Sequence, residues 1–158
     1  WLGFDNDTDL CTSITKSTGA PSTTSILANN DLFQRHGVST FGLVTPYTAD
    51  VQAKIIENYH KSGFHCVAER HLGISDNFSF SEITEEQVEE MCRAVAGEGA
   101  EAISIICTNM QGACLAERLE ADLGVVIYDS IAVVVRHALE ISGVDPRRVT
   151  GWGRIFTQ

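Results

Sequence analysis

Phe41-Gly42-Leu43-Val44-Thr45-Pro46-Tyr47 and Ala102-Ile103-Ser104-Ile105-Ile106-Cys107-Thr108-Asn109 are the two stretches that decide the fold. Each is a short apolar run without alternation that stops abruptly at polar residues or proline. Continuous runs of this kind are strands buried on both faces of a parallel sheet. The chain around them alternates. Asp50–Ser62 has helical spacing through Val51, Ile55 and Tyr59, and Phe64–Ala68 is the next strand. Glu69–Glu82 is polar and irregular and reads as a loop. Thr84-Glu85-Glu86-Gln87 is a capping box that opens a helix running to about Ala96. Gly112–Asp122 reads as a helix, Val125–Tyr128 as a strand, Ser130–Ser142 as a helix and Asp145–Gln158 as a tail.

Upstream of Phe41, Asp5–Ser17 reads as a helix with Leu10, Cys11 and Ile14 on one face, stopped by Thr18-Gly19-Ala20-Pro21. The Thr-rich Ser22–Ser25 suits a brief strand, and Ile26–His36 returns to helical spacing. Strands separated by helices predict an α/β fold with a parallel sheet and right-handed crossovers. Ligands of such sheets sit beyond the C-terminal strand ends. That rule singles out Thr45-Pro46-Tyr47, Cys107-Thr108-Asn109 and Asp129-Ser130.

The 158 residues are 44% hydrophobic and 20% charged, which excludes a disordered chain. A formal net charge of −10 repels phosphate backbones and anionic membranes, so neither nucleic acid nor a membrane is an expected partner. No apolar run approaches the roughly 18 residues of a membrane span. The five cysteines contain no CxxC pair, and no charged stretch leads into an apolar segment. The expected compartment is the reducing cytoplasm.

Cys107 reads two ways. As a strand cysteine it packs in the core. At a strand end before a helix, it faces the ligand crevice with its thiol near the helix's positive end, which favours the thiolate. The amides of Thr108 and Asn109 then cradle a carboxylate. The hydroxyls of Thr45-Pro46-Tyr47-Thr48 either face that crevice from the opposite wall or belong to a stiff turn. Asn77, in the irregular loop, is a weak signal alone. Cys11, Cys66 and Cys92 read as core residues, whereas Cys114 lies near enough to Cys107 to approach a site. His65, Cys66 and His71 lack a fourth ligand at useful spacing, so no metal site is expected. His36 and His60 fall on solvated helix faces, His137 on a structural one. Arg147, Arg148 and Arg154 make a basic tail suited to an acidic body.

Taken together, the order of these motifs resembles the Asp/Glu racemase superfamily. Its maleate cis-trans isomerase and arylmalonate decarboxylase branch is the nearest in pattern. The resemblance rests on Thr18-Gly19-Ala20-Pro21-Ser22-Thr23-Thr24, on TPY after an apolar strand, on Asp76-Asn77, on IICTN and on LGVVIYDS, with Tyr47, Asn77 and Cys107 evenly spaced. It implies two pseudosymmetric Rossmann-like lobes with parallel sheets flanked by helices. Residues 1–38 are then the remainder of a first, incomplete lobe, 39–129 a second α/β lobe, and 130–158 a helix and tail returning to the first. The family's first catalytic motif is expected just upstream of Trp1. The resemblance also implies an enzyme with no metal or organic cofactor, acting on a small carboxylic or dicarboxylic acid through an enediolate or a cysteine adduct, and assembled as a homo-oligomer. By the same resemblance Cys107 is a catalytic position, while Thr45, Tyr47, Asn77, Thr108 and Asn109 bind substrate. Asn77 tilts the reading towards a maleate isomerase. An arylmalonate decarboxylase, an amino-acid racemase and a non-catalytic carboxylate-binding module are the alternatives.

Overall fold

A computed structural model of the chain describes residues 3–158; Trp1 and Leu2, and with them any continuation upstream, lie outside the described residues. Four strands, β1 (Thr40–Thr45), β2 (His65–His71), β3 (Ala102–Ile105) and β4 (Val126–Asp129), form one sheet in the order β2-β1-β3-β4. Every pairing is parallel. Six α-helices accompany them among the described residues: α1 (Phe4–Thr18), α2 (Ser25–His36), α3 (Ala49–Lys61), α4 (Glu85–Ala96), α5 (Ala116–Leu123) and α6 (Ser130–Ile141). This is the α/β architecture the buried strand runs predict.

The helices divide between the two faces. α4 and α5 cover one face, where Val88, Met91, Cys92, Val95 and Leu119 pack on Val44, Ile103, Ile105 and Ile127. α2, α3 and α6 cover the other, with Leu32, Phe33, Ile55, Tyr59 and Val133 on Phe41, Leu43 and Tyr128. Phe33 is the hub of that layer, its ring edge-on to Tyr128 at 4.8 Å and near Phe41 at 5.3 Å. Helices α2 and α6, from the segments that flank 39–129 in sequence, therefore share one face of the same sheet. A buried polar chain also ties these layers. Ser104 Oγ donates to Asn29 Oδ1 at 3.2 Å, and Asn29 Nδ2 donates to the Tyr59 hydroxyl at 3.2 Å.

Gly42 in β1 lets α4 close onto the sheet. A Cβ at that position falls 2.8 Å from Val95 Cβ and 3.2 Å from Ala100 Cβ. Gly42→Ala is expected to lower stability by about 1–3 kcal/mol, the usual cost of overpacking a filled core. Urea unfolding of the two proteins checks this.

Several local expectations need correction. Ser22–Ser25 is not a strand. Thr24 is the N-cap of α2, its side chain accepting from Leu27 N at 3.2 Å, so capping outweighs the β-propensity of threonine. Strand β2 runs on to His71 through residues read as loop, because as an edge strand it carries polar side chains. α1 buries only Cys11, leaving Leu10 and Ile14 exposed. His36 is half-buried, not solvated: its ring hydrogen-bonds the Tyr128 hydroxyl at 2.8 Å. The tail is part of the core. Ile155 and Phe156 are buried in a 3-10 turn, and Arg154 lies 3.7 Å from the buried Glu120 carboxylate. Arg147, by contrast, pairs locally with Asp145.

Candidate active site

The chain runs from β1 outward to β2, then crosses back over β1 to β3 and on to β4. Strand order thus reverses between β1 and β3, whose C-terminal ends lie side by side. A crevice at this reversal is where an open α/β sheet binds its ligand. A cavity of about 310 Å³ occupies it, lined by Gly3, Asp7, Ser25, Ile26, Tyr47, Ile106, Cys107, Thr108 and Ser130.

Pro46 ends β1 because it has no N–H for the ladder. The turn it makes is fixed by Thr45. The Thr45 hydroxyl donates to Gln52 Oε1 at 2.7 Å and accepts from Tyr47 N at 3.3 Å. Thr45 is fully buried and does not line the cavity. The Tyr47 ring leaves this turn and packs edge-on against Phe80 at 5.4 Å. Tyr47 shares the cavity wall with Cys107. Burial first, and then the neighbouring Cys107, hold the phenol protonated well above its ordinary range.

Cys107 follows β3 and is 5% exposed, its side chain on the cavity wall. Thr108 beside it is exposed and lines the same cavity. Asn109 turns away from the cavity. Its amide donates to the Asn77 carbonyl at 3.4 Å, and the Asn77 side chain is exposed. The loop carrying Asn77 is anchored where Gly73 N and Ile74 N donate to the carbonyls of Tyr47 and Pro46 at 3.0 and 2.9 Å. Of the six residues singled out by sequence, Tyr47, Cys107 and Thr108 meet in the cavity. Thr45, Asn77 and Asn109 do not line it. No α-helix starts at Cys107: a 3-10 turn at Ala113–Leu115 intervenes and α5 begins only at Ala116. The helix ends that face the cavity belong instead to α1, through Gly3 and Asp7, to α2, through Ser25 and Ile26, and to α6, through Ser130. The amides of Ser25 and Ile26 have no hydrogen-bond partner among the described residues, since Thr24 serves Leu27 and Ala28. Asp7, Ser25 and Ile26 were not legible as site residues, because they belong to helices remote in sequence from both strand ends.

The loop after Cys107 is held by close packing. A Cβ on Gly112 falls 2.7 Å from Asp129 Oδ2 and 2.8 Å from Ile105 Cδ1. Asp129 Oδ1 caps α6, accepting from Ile131 N at 2.8 Å and Ala132 N at 3.2 Å, while Oδ2 is buried with no hydrogen-bond partner among the described residues. Burial pushes this carboxyl from 3.8 up to about 6 against the opposing amide bonds. A raised carboxyl binds its proton more tightly folded than unfolded, so its contribution to stability declines as pH rises from 3.8 to about 6. Asp129→Asn keeps a capping side chain. It is expected to flatten that part of the stability profile in urea titrations across the range.

Among the described residues, one group of metal-ligating side chains converges: Asp31, His137 and Glu140. Arg35 already pairs with both carboxylates, at 2.7 and 2.9 Å. His71 instead hydrogen-bonds Glu69 at 2.8 Å. No described helix is long and apolar enough to cross a membrane.

Solved structures share this fold. An arylmalonate decarboxylase superposes with a TM-score of 0.87 at 21% identity, covering 98% of this chain and 69% of that one. The Nocardia farcinica maleate cis-trans isomerase, in a mutant with a covalently bound succinylcysteine intermediate, gives 0.86 at 20% identity, covering 95% and 63%. The Pseudomonas putida maleate isomerase gives 0.83 at 19% identity, covering 93% and 60%. The chain thus spans roughly two thirds of the length of these proteins. A comparison with curated proteins returned no match. The family model for Asp/Glu/hydantoin racemase matches residues 4–138, and the chain belongs to that family.

Proposed function

We propose that the protein is a cofactor-independent enzyme acting on a small carboxylic acid, with Cys107 as its proton donor or nucleophile. One observation carries this reading: the Cys107 and Tyr47 side chains lie together on the wall of one cavity at the strand-order reversal. Removing a proton or CO2 beside a carboxylate builds an enediolate, which needs donors in place before charge develops. Tyr47, Thr108, and the free amides of Ser25 and Ile26 are such donors. The Cys107 thiol then returns a proton to one face of the carbanion, or adds to an alkene. Thr45 acts by fixing the Tyr47 turn. Asn77 does not line the cavity, so it gives no preference for a maleate isomerase. Decarboxylation and racemisation stand beside isomerisation. The reading includes a cytoplasmic setting, which keeps the thiol reduced, and self-association.

Proton NMR in deuterium oxide tests it. Maleate, an aryl-substituted malonate, and aspartate are each incubated with the full chain. Conversion or deuterium incorporation that disappears in Cys107→Ala supports the reading; conversion that survives it overturns the assignment. Tyr47→Phe keeps the ring contact with Phe80 but removes the hydroxyl, and is expected to lower turnover by about 10²-fold, the scale of one lost oxyanion donor.

A further inference from the structure

We infer that Gln52 and Glu69 are positioning residues for Tyr47, joined to its turn through Thr45 by a hydrogen-bonded relay with one fixed direction. The inference rests on the proposed function, in which Tyr47 is a donor to the substrate. Three elements supply the relay. Tyr47 N donates to the hydroxyl of Thr45 at the end of β1, at 3.3 Å. That hydroxyl donates to Gln52 Oε1 on α3, at 2.7 Å. Gln52 Nε2 donates to Glu69 Oε2 on β2, at 2.9 Å.

The direction is set at the far end. A carboxylate only accepts, so Glu69 draws the Gln52 NH2 and turns the amide oxygen towards Thr45. An amide oxygen also only accepts, so the Thr45 proton goes to Gln52 and a Thr45 lone pair is left for the Tyr47 N–H. A reversed Gln52 amide competes with Tyr47 N for that oxygen. His71 Nδ1 holds the same Glu69 oxygen, at 2.8 Å. Gln52 is 2% exposed, and the other buried residues of α3 are Ile55 and Tyr59. Packing there is served by apolar and aromatic side chains, and a buried amide costs free energy unless it is bonded. The relay accounts for an amide at this position. The turn has a separate backbone anchor, since Gly73 N and Ile74 N donate to the carbonyls of Tyr47 and Pro46. Loss of the relay therefore re-aims Tyr47 without releasing the turn.

Gln52→Leu and Glu69→Gln in the full chain test the inference, each with Tyr47 intact and with Tyr47→Phe. Two readouts are taken: the ring carbon resonance of 13C-labelled Tyr47, with Tyr128 as reference, and the succinate concentration that half-protects Cys107 from iodoacetamide. Both variants are expected to move the Tyr47 resonance and leave that of Tyr128 in place. Gln52→Leu is expected to raise the half-protecting concentration about tenfold, the scale of one hydrogen bond to a charged group. Glu69→Gln is expected to raise it by a smaller factor. With Tyr47→Phe already present, neither variant is expected to add more than about twofold, because the relay acts through Tyr47. Glu69 is half-buried at the sheet edge, so Glu69→Gln carries the test if Gln52→Leu does not fold. An unmoved Tyr47 resonance in the folded variants overturns the inference. So does a change in protection that is equally large with Tyr47→Phe, which marks a general loosening. If succinate protects wild type and the variants alike, the relay fails and the site stands. If succinate does not protect Cys107 in wild type, the site reading fails and this inference with it.

Discussion

Cys107→Ala is expected to abolish turnover, by more than about 10³-fold, and to leave the fold intact. A positioned acid or base contributes some 10²–10⁴-fold, and covalent addition is lost outright without the sulfur. The side chain removed is small and stands on a cavity wall, so repacking is minor. Tyr47 loses its sulfur neighbour but stays on the same turn, fixed by Thr45. Cys107→Ser retains an OH too weakly acidic and too poorly nucleophilic to substitute, and is expected to fall nearly as far. Turnover measured beside the thermal midpoint distinguishes this from unfolding: activity collapses while the midpoint moves by a few degrees at most.

Arg136→Leu is expected to cause the largest loss of stability, about 3 kcal/mol. The Arg136 side chain, 7% exposed, sits 3.1 Å from Glu140 and donates to the carbonyls of Ile155 and Gln158. It therefore ties α6 to the buried 3-10 turn of the tail. Removing one partner of a buried charge network costs some 3–5 kcal/mol; the part-exposed Glu140, which keeps Arg35, places this case at the lower end. Arg136→Lys keeps the charge but cannot present two parallel donors, so an intermediate loss is expected. Urea unfolding gives the magnitude, and limited proteolysis after Arg154 reports release of the tail. A loss below about 0.5 kcal/mol, the range of ordinary surface substitutions, contradicts the anchoring role.

The sheet was legible in the sequence because its central strands are buried on both faces: FGLVT and AISII contain no charged residue to confuse the period. The capping box of Thr84 and Gln87 is present as read, with both hydrogen bonds formed. What misled was polarity at the margins. β2 is an edge strand whose last residues, Glu69 to His71, look like loop. The tail looks solvated because its two core residues, Ile155 and Phe156, are flanked by Arg154 and Thr157, and the polar groups that hold it, among them Arg136 and Glu120, are distant in sequence. Glu120 accepts from Ile127 N at 2.9 Å and Arg154 N at 2.6 Å, and no local pattern announces this. At the site, Tyr47, Cys107 and Thr108 were legible from the strand-end rule. Asp7 and Ser25 were not, since which helix ends converge on a crevice is decided by packing. Thr45 had been read as a substrate contact, but its hydroxyl is already committed to Gln52.

The central assignment, Cys107 as the working thiol of a carboxylate site, is tested most directly by residue-resolved iodoacetamide labelling at neutral pH with and without a small carboxylate. The other thiols make good internal references. Burial pushes Cys66 up to about 11 and Cys92 up to about 12, and Cys114, though exposed, is raised by burial and by Glu85. Cys107 is expected to label faster than the other four, and its labelling alone to be slowed by the carboxylate. Equal slow labelling of all five cysteines, or Cys107 labelling that no carboxylate slows, contradicts the assignment.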